Sequence, residues 1–166
     1  MELETLQELF VDDLKDLYSA ENQITKALPK MAKTATSEEL KKGFLEHLEQ
    51  TKGHIRRLES IFGELDENPK GKKCKGIEGL LTEGSELMKE DAEPEVMDAG
   101  MISAAQRVEH YEIAAYGTVR TYAELLGLKK AAKLLQETLD EEKATDQKLS
   151  GLAQAINVAA EQPATK

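Results

Sequence analysis

The sequence predicts an all-α protein, a four-helix bundle whose second and third long helices are joined by a long crossover carrying a short helix. Three observations indicate this fold. Apolar residues recur at helical spacing along most of the chain, and no stretch alternates as a half-buried strand does. Aromatic residues are only 4% of the chain, which is ordinary for a bundle built on leucine and alanine. Two connections between long helices are short and the middle one is long.

The first long helix is predicted over residues 2–28. Its apolar stripe consists of Leu6, Phe10, Leu14, Leu17, Ile24 and Leu28. Pro29 follows the stripe and has no backbone N–H to donate, so the helix should end or kink at this point.

The second long helix is predicted to begin at Thr36, because Thr36 and Glu39 have the spacing of a capping box. Its apolar stripe runs from Leu40 to Phe62. The next residue, Gly63, suits a C-terminal cap, and the helix should end there.

The third and fourth long helices are predicted over residues 94–126 and 129–159. Pro94 suits the first turn of a helix, and Gly127 should stop the third helix. We therefore expect a single domain over residues 1–159, followed by a frayed tail over residues 160–166.

The connections predict how the long helices are arranged. The short links at residues 30–35 and 127–128 should each form an antiparallel hairpin. The middle link, residues 64–93, contains a short amphipathic helix over residues 77–89. A helix of 27 residues is about 40 Å long, and a link of this size can cross that distance. The third helix would then start at the opposite end of the bundle, which is the ferritin-like connection.

Composition excludes several classes of protein. The chain has 22 Lys and Arg against 32 Asp and Glu, and this net charge of −10 argues against nucleic-acid binding. Its single cysteine excludes an internal disulfide and a cysteine-based zinc site. No signal peptide or membrane-spanning run is visible, so we expect a cytoplasmic protein without a membrane partner. Nucleophile elbows and glycine-rich phosphate loops are also missing, which argues against a hydrolase.

Acids and a histidine interrupt the apolar stripes of all four long helices. These candidate metal ligands are Glu21, His47, Glu109, Glu112, Glu142 and Asp146. Carboxylates that converge in a dry core would repel each other, and divalent cations would remove that repulsion. Oxygen ligands with one or two imidazoles suit iron or manganese. Two such ions, about 3.5–4 Å apart, could bind dioxygen or peroxide.

Other polar residues near the stripes are more readily explained as solvent-facing residues at the edges of the stripes, here called flanks. We assign Asp13, Asp16, Glu141 and His110 to flanks and expect His54 to be exposed. By itself, His47 fits a core histidine as well as a ligand. A tyrosine near the metals, Tyr111 or Tyr116, could be oxidised or donate a hydrogen bond.

Long segments of the chain resemble a known family. The segments are LFVDDLKDLYSAENQITKALPKMA, FLEHLEQTKGHIRRLESIFG, NPKGKKCKGIEGLL, AAQRVEHYEIAAYGTVRTYAELLG and LLQETLDEEKATDQKLSGLA. Together they resemble the YciF stress-response family of bacteria, part of the ferritin-like superfamily near rubrerythrin. The resemblance covers residues 5–155. It implies a ferritin-like bundle, a homodimer and expression under stress, but no settled reaction.

The ferritin-like superfamily binds two iron or manganese ions, with one Glu from each of two helices and Glu-x-x-His from the other two. By resemblance, Glu109 matches the single Glu of the third helix, and Glu112 matches the additional Glu of rubrerythrins. Glu21 is the best match in the first helix, with Asp16 as the alternative register. The resemblance implies no organic cofactor. Ferroxidase or peroxide-related activity is the chemistry it suggests.

The chain departs from the superfamily pattern in two helices. In the second, the Glu-x-x-His pair maps to His47 and Gln50. In the fourth, Glu142 fits the Glu position, but Thr145 stands in place of the His, and Asp146 could substitute for it. Such a site could hold two metals, one or none.

Two alternatives remain open from the residues alone. The bundle could be a metal-free structural or interaction dimer, with its inner carboxylates protonated or paired with Arg56, Arg57 or Arg107. The only cysteine, Cys74, lies among lysines that would lower its thiol pKa and could make it redox-active. The simpler interpretation, which we favour, is a small residue in a basic loop.

Overall fold

The computed structural model describes residues 3–161, and within that range the chain forms α-helices and no strand. The helices are α1 (Leu6–Thr34), α2 (Glu38–Leu65), α3 (Lys75–Leu87), α4 (Pro94–Leu125) and α5 (Lys129–Glu161). The four long helices form a ferritin-like bundle, and α3 is the predicted short helix of the crossover. Residues 160 and 161 belong to α5, and the rest of the predicted tail lies outside the described residues.

The first helix continues beyond Pro29, so the predicted end at residue 28 is wrong. A capping box between Thr5 and Glu8 starts the helix, and the chain stays helical to Thr34. The turn after the proline buries Met31 and Ala32 in the core. Burial of this apolar surface offsets the lost hydrogen bond and the ring clash of a proline inside a helix, which together cost about 3 kcal/mol.

The ends of α2 also differ from prediction. Ser37, rather than Thr36, is the N-cap, and its hydroxyl accepts a hydrogen bond from the Leu40 N–H. The helix passes through Gly63 and ends at Leu65, because Asp66 adopts the left-handed conformation (φ 54°) that terminates it. By contrast, the start of α4 at Pro94 and the left-handed Gly127 (φ 72°) after its end are as predicted.

The crossover returns the chain along the length of the bundle, as predicted. Asp98, near the start of α4, accepts hydrogen bonds from the backbone N–H groups of Thr36 (2.8 Å) and Ser37 (2.7 Å). The start of α4 therefore lies beside the start of α2, and the two helices run parallel. The short α3 packs against α1 and α4.

A polar layer divides the core into two apolar halves. One half contains Ile24, Leu28, Leu40, Phe44, Ile77, Met101 and Leu149. The other contains Phe10, Leu14, Leu58, Ile61, Tyr116, Val119 and Leu135. On each long helix, buried acids or histidines lie between the segments that serve the two halves: Glu21 on α1, His47 and His54 on α2, Glu109 and Glu112 on α4, and Glu142 on α5. A chemically distinct site therefore sits at mid-height in the bundle.

None of the helices within residues 3–161 is long and apolar enough to cross a membrane.

Candidate metal centre

Six buried side chains from the four long helices converge in the polar layer. They are Glu21 of α1, His47 and His54 of α2, Glu109 and Glu112 of α4, and Glu142 of α5. They form two groups, in each of which one potential ligand atom per residue lies within 4.8 Å of the others. The His47 group is His47, Glu109, Glu112 and Glu142, and the His54 group is Glu21, His54 and Glu142. Glu142 belongs to both, so the two groups are adjacent.

Helical spacing explains why these residues share the interior. Glu109 and Glu112 are three residues apart on α4, and His47 and His54 are seven apart on α2. Both spacings return a side chain to the same face of a helix. Thr51, between the two histidines, is buried on that face as well.

The six side chains leave an unusual number of polar atoms without hydrogen bonds. Within residues 3–161, nine buried side-chain nitrogen or oxygen atoms have no hydrogen-bond partner, and eight of them belong to this cluster. Both carboxylate oxygens of Glu112 and of Glu142 are among the eight. Buried polar groups normally find partners, because an unpaired one costs about 1–3 kcal/mol or more. The donor set, four carboxylates and two imidazoles, fits iron or manganese and would satisfy these atoms.

The short distances inside the cluster do not have the alignment of hydrogen bonds. His54 Nδ1 lies 3.0 Å from Glu142 Oε1 and 3.2 Å from Glu21 Oε1. His47 Nε2 lies 3.2 Å from Glu109 Oε1. Both ring nitrogens remain without a hydrogen-bond partner, so each can serve as a metal ligand.

Burial and mutual repulsion alter the ionisation of the acids. Burial raises the pKa of Glu109 to about 7 and that of Glu142 to about 8. Burial, reinforced by the neighbouring Glu142, Glu21 and Glu109, raises the pKa of Glu112 well above its usual range. Without a cation, the cluster therefore holds protons on its carboxylates near neutral pH.

Hydrogen bonds from outside the cluster hold His54 in place. Its Nε2 lies 2.8 Å from Glu141 Oε2, and Arg57 donates to both carboxylate oxygens of Glu141 at 2.8 and 2.7 Å. The Arg57 guanidinium lowers the pKa of Glu141, which is therefore an ionised acceptor. It follows that Nε2 donates to Glu141, and in the neutral ring Nδ1 carries the lone pair that faces the cluster.

Glu21 has its own support on the same side. Tyr116, fully buried, donates its phenolic O–H to Glu21 Oε1. Burial and the neighbouring carboxylates raise the pKa of Tyr116 well above its usual range, so it remains a donor. One carboxylate oxygen of Glu21 is thus fixed, and the other, Oε2, is unpaired.

His47 is held less firmly. Its Nδ1 lies 3.4 Å from the hydroxyl of Thr145, which also lies within hydrogen-bonding distance of Gln50 Oε1 (3.3 Å) and of the Glu141 carbonyl (3.1 Å). A hydroxyl shared among three partners at these distances orients an imidazole weakly.

The structure brings together five of the six candidate ligands named from the sequence: Glu21, His47, Glu109, Glu112 and Glu142. Asp146 lies outside the cluster, half-buried between α4 and α5. Its carboxylate accepts a hydrogen bond from Gln106 (3.1 Å) and lies 3.3 Å from His110 Nε2. Asp16, the alternative in the first helix, accepts from Tyr111 (3.0 Å) and is also outside the two groups.

His54 is the residue that the sequence reasoning missed. We expected it to be exposed, but it is fully buried. In place of His47 and Gln50, Thr51 and His54 are the buried pair at the Glu-x-x-His spacing of the second helix. The signal was available, because His54 lies seven residues after His47 and so shares its face.

The cysteine does not behave as its lysine neighbours suggested. The thiol of Cys74 is buried, caps α3 by accepting from the Ile77 N–H, and lies 3.2 Å from the hydroxyl of Tyr111. Burial raises its pKa, so the expected lowering by nearby lysines is wrong.

Comparison with known proteins identifies the family. Residues 5–161 match the family described as a domain of unknown function, DUF892. Protein YciF of Escherichia coli K12 is 50% identical over 155 residues, which are 92% of this chain and 93% of that protein.

Solved structures agree with the fold. The crystal structure of the E. coli stress protein YciF has a TM-score of 0.90 at 48% identity, covering 96% of this chain and 100% of that one. YcfI from Rhodopseudomonas palustris has a TM-score of 0.87 at 44% identity, covering 90% of this chain and 95% of that one.

A more distant structure shows the fold alone. It is a two-domain protein from Anabaena variabilis with a DJ-1/ThiJ/PfpI-like and a ferritin-like domain (TM-score 0.64, 18% identity, 98% of this chain and 40% of that one). With a family match over nearly its whole length and a curated relative at half identity, this chain belongs to the DUF892 family and is a homologue of E. coli YciF.

Proposed function

We propose that this protein is a stress-response protein whose bundle binds two iron or manganese ions, one in the His47 group and one in the His54 group. The observation that carries the proposal is the convergence of eight unpaired polar atoms in one dry layer. Carboxylates and imidazoles placed in this way are costly to bury without a cation.

Each of the six side chains has a role in this arrangement. Glu142 belongs to both groups and would be a ligand at both positions. Glu21 and His54 complete one position, and His47, Glu109 and Glu112 complete the other. When bound, iron or manganese would supply redox chemistry toward dioxygen or peroxide, consistent with ferroxidase or peroxide-related activity.

The residues around the ligands keep the site dry and ordered. The apolar halves above and below exclude water, which strengthens every electrostatic interaction between ligands and cation. On the His54 side, Tyr116 holds Glu21 while Arg57 and Glu141 hold His54. These hydrogen bonds reduce the reorganisation needed on metal binding.

Stress response, dimerisation and a cytoplasmic location extend the proposal beyond the site. The relative from E. coli is described as a stress protein, and half identity over most of both chains supports a shared role. We propose a homodimer, which sedimentation equilibrium of the purified chain would test.

The alternative is a metal-free structural dimer with neutralised inner carboxylates. Within residues 3–161, no lysine or arginine forms an ion pair with Glu21, Glu109, Glu112 or Glu142, and the basic groups beside them are histidines. Arg57 pairs instead with Glu141 and Glu137. The alternative then depends on protonated acids together with a charged His54, whose pKa is lowered by burial but raised overall, to about 11, by Glu142 and Glu21. It still leaves both carboxylate oxygens of Glu112 without a partner, so the metal proposal is favoured.

Metal content tests the proposal directly. Untagged protein is purified without chelator, reloaded anaerobically with Fe(II) or Mn(II), and analysed for bound metal per chain. Two ions per chain are expected, together with a higher melting temperature that EDTA reverses, because an ion that binds only the folded state stabilises it. A content near zero after reloading, with no effect of EDTA on melting, would overturn the proposal.

A further inference from the structure

The further inference rests on the proposed metal site and concerns how a small molecule reaches it. A narrow pocket of about 20 Å³ lies in the seam between α2 and α5. Its walls are apolar, with Leu28, Phe44, Leu149 and Leu152 among them, and His47 and Glu109 line its inner end. The short α3 packs against α1 and α4, so it does not cover this seam.

Two small residues keep the pocket open. Gly43 lines it from α2, and a β-carbon built there would lie 3.9 Å from both Leu152 Cδ1 and Lys148 Cε. A methyl group would therefore fit, but a longer side chain would fill the space. Thr145 lines it from α5, at the position three residues after Glu142. An imidazole at that position, as in a Glu-x-x-His pair, would occupy much more of the same volume.

The outer rim of the pocket carries an ion pair. Lys148 also lines the pocket, is about half exposed, and pairs with Glu46 of α2 across the seam. Inside the rim the walls are mostly apolar, and the loss of hydration there opposes the entry of a metal cation. The pocket is therefore unsuited to loading iron or manganese and suited to a neutral molecule.

Size and polarity narrow the class of molecule further. A space of about 20 Å³ accommodates one water-sized molecule. Hydrogen peroxide has two O–H donors, and apolar walls would leave them largely unpaired. Dioxygen has no hydrogen-bond donor, so it loses little hydration free energy when it moves from water into an apolar pocket.

We propose that the α2–α5 seam is the passage by which dioxygen reaches the His47 side of the metal centre, kept open by Gly43 and Thr145 and lined at its rim by Lys148. The passage ends at His47 and Glu109, so dioxygen would arrive on the more weakly held side of the cluster.

The first test needs no metal. Dioxygen is paramagnetic, so its presence speeds the relaxation of nearby methyl protons in NMR spectra of the metal-free protein under oxygen pressure. The methyl groups of Leu149 should relax faster than those of Leu139, which is equally buried but lies in the other half of the core. Gly43→Leu should abolish the difference, and Gly63→Leu should leave it unchanged, because nothing lies within 4 Å of a β-carbon at position 63. Equal relaxation of the two residues in the unaltered protein would overturn the proposal.

The second test uses the Fe(II)-loaded protein and nitric oxide as a neutral diatomic probe. Iron content is measured first, so failure of metal binding is separated from failure of the passage. We expect Gly43→Leu to retain its iron but to bind nitric oxide about tenfold more slowly, a change equal to about 1.4 kcal/mol of added barrier. Gly43→Ala should slow binding less than Gly43→Leu does. It is the control that remains usable if the larger side chain prevents folding. Unchanged rates in both variants would exclude the seam as the route.

A comparison of dioxygen with hydrogen peroxide tests which of the two oxidants uses the passage. The same variants are mixed, in the Fe(II) state, with dioxygen or with peroxide, and oxidation is followed by stopped-flow absorbance. Gly43→Leu should slow oxidation by dioxygen more than oxidation by peroxide. Equal slowing would overturn the assignment of the passage to dioxygen.

Discussion

The His54 group and the His47 group use the same kinds of side chain but are held in different ways. His54 is fixed by a short hydrogen bond to Glu141, and Arg57 donates two further hydrogen bonds to the carboxylate of Glu141. Glu21 is fixed by the hydroxyl of Tyr116. His47 has only the hydroxyl of Thr145, at 3.4 Å, and an apolar pocket opens beside it.

This difference shows that a ligand cluster can combine rigidity and access within one layer. Outer hydrogen bonds orient a histidine and raise its basicity, so the supported side should bind metal with little reorganisation. The weakly held side can adjust, and it is the side that a small molecule can reach.

Glu142→Gln should remove both ions, because Glu142 is the only residue shared by the two groups. The metal content measured after anaerobic reloading should fall from two ions per chain to near zero. Asp140→Asn, a similar change at an exposed position on the same helix, is the matched control and should retain two. Two tightly bound ions in Glu142→Gln would show that the groups do not depend on a common ligand.

Glu112→Leu should affect the His47 group alone, since Glu112 is absent from the other group. Metal content should fall to one ion per chain. The metal-free protein should become more stable, by about 1–3 kcal/mol, because an apolar side chain of similar volume removes two buried oxygens that have no hydrogen-bond partner. Urea unfolding in EDTA measures the second effect, and a less stable variant would contradict the view that Glu112 is unsatisfied without metal.

Arg57→Ala and Thr145→Ala compare the outer support of the two groups directly. Releasing Glu141 by Arg57→Ala should weaken metal binding at the His54 group by about 10–100-fold, the usual effect of losing an outer hydrogen bond. Thr145→Ala should have a smaller effect on the His47 group, because its bond to His47 is long and shared. Competition titrations with a chelator of known affinity measure the metal affinity of each group in the two variants. Equal losses of affinity would show that the outer hydrogen bonds do not distinguish the His54 group from the His47 group.

The pH dependence of stability gives the smallest effect. Folding raises the pKa of Glu109 to about 7 and that of Glu142 to about 8, so folding favours their protonated forms. Their contribution to stability is therefore full in acid and is lost as the pH rises through about 7 and 8. The metal-free protein should become less stable from pH 6 to pH 9, measured by urea unfolding.

Glu109→Gln supplies the control for the pH experiment. The amide cannot ionise, so the fall in stability between pH 6 and pH 9 should be smaller in this variant than in the unaltered protein. An identical pH dependence in the two proteins would show that Glu109 does not titrate in this range.

Most of the fold could be predicted from the sequence because helices follow local patterns. The stripes, Pro94 and Gly127 placed the long helices, and the length of the middle link predicted the crossover. The errors lie at helix ends: α1 continues past Pro29 because burial of Met31 and Ala32 outweighs the proline. Such a balance depends on neighbouring helices and cannot be read from a single segment.

That every long helix carries an acid or histidine within an apolar stripe can be read from the amino-acid sequence, since an interruption of periodicity is local information. That His54 joins the cluster while Asp146 does not, and that Glu142 belongs to both groups, depends on how the helices pack. Residues one position apart on a helix point about 100° apart, so the rotation of each helix toward its neighbours selects the side chains that meet.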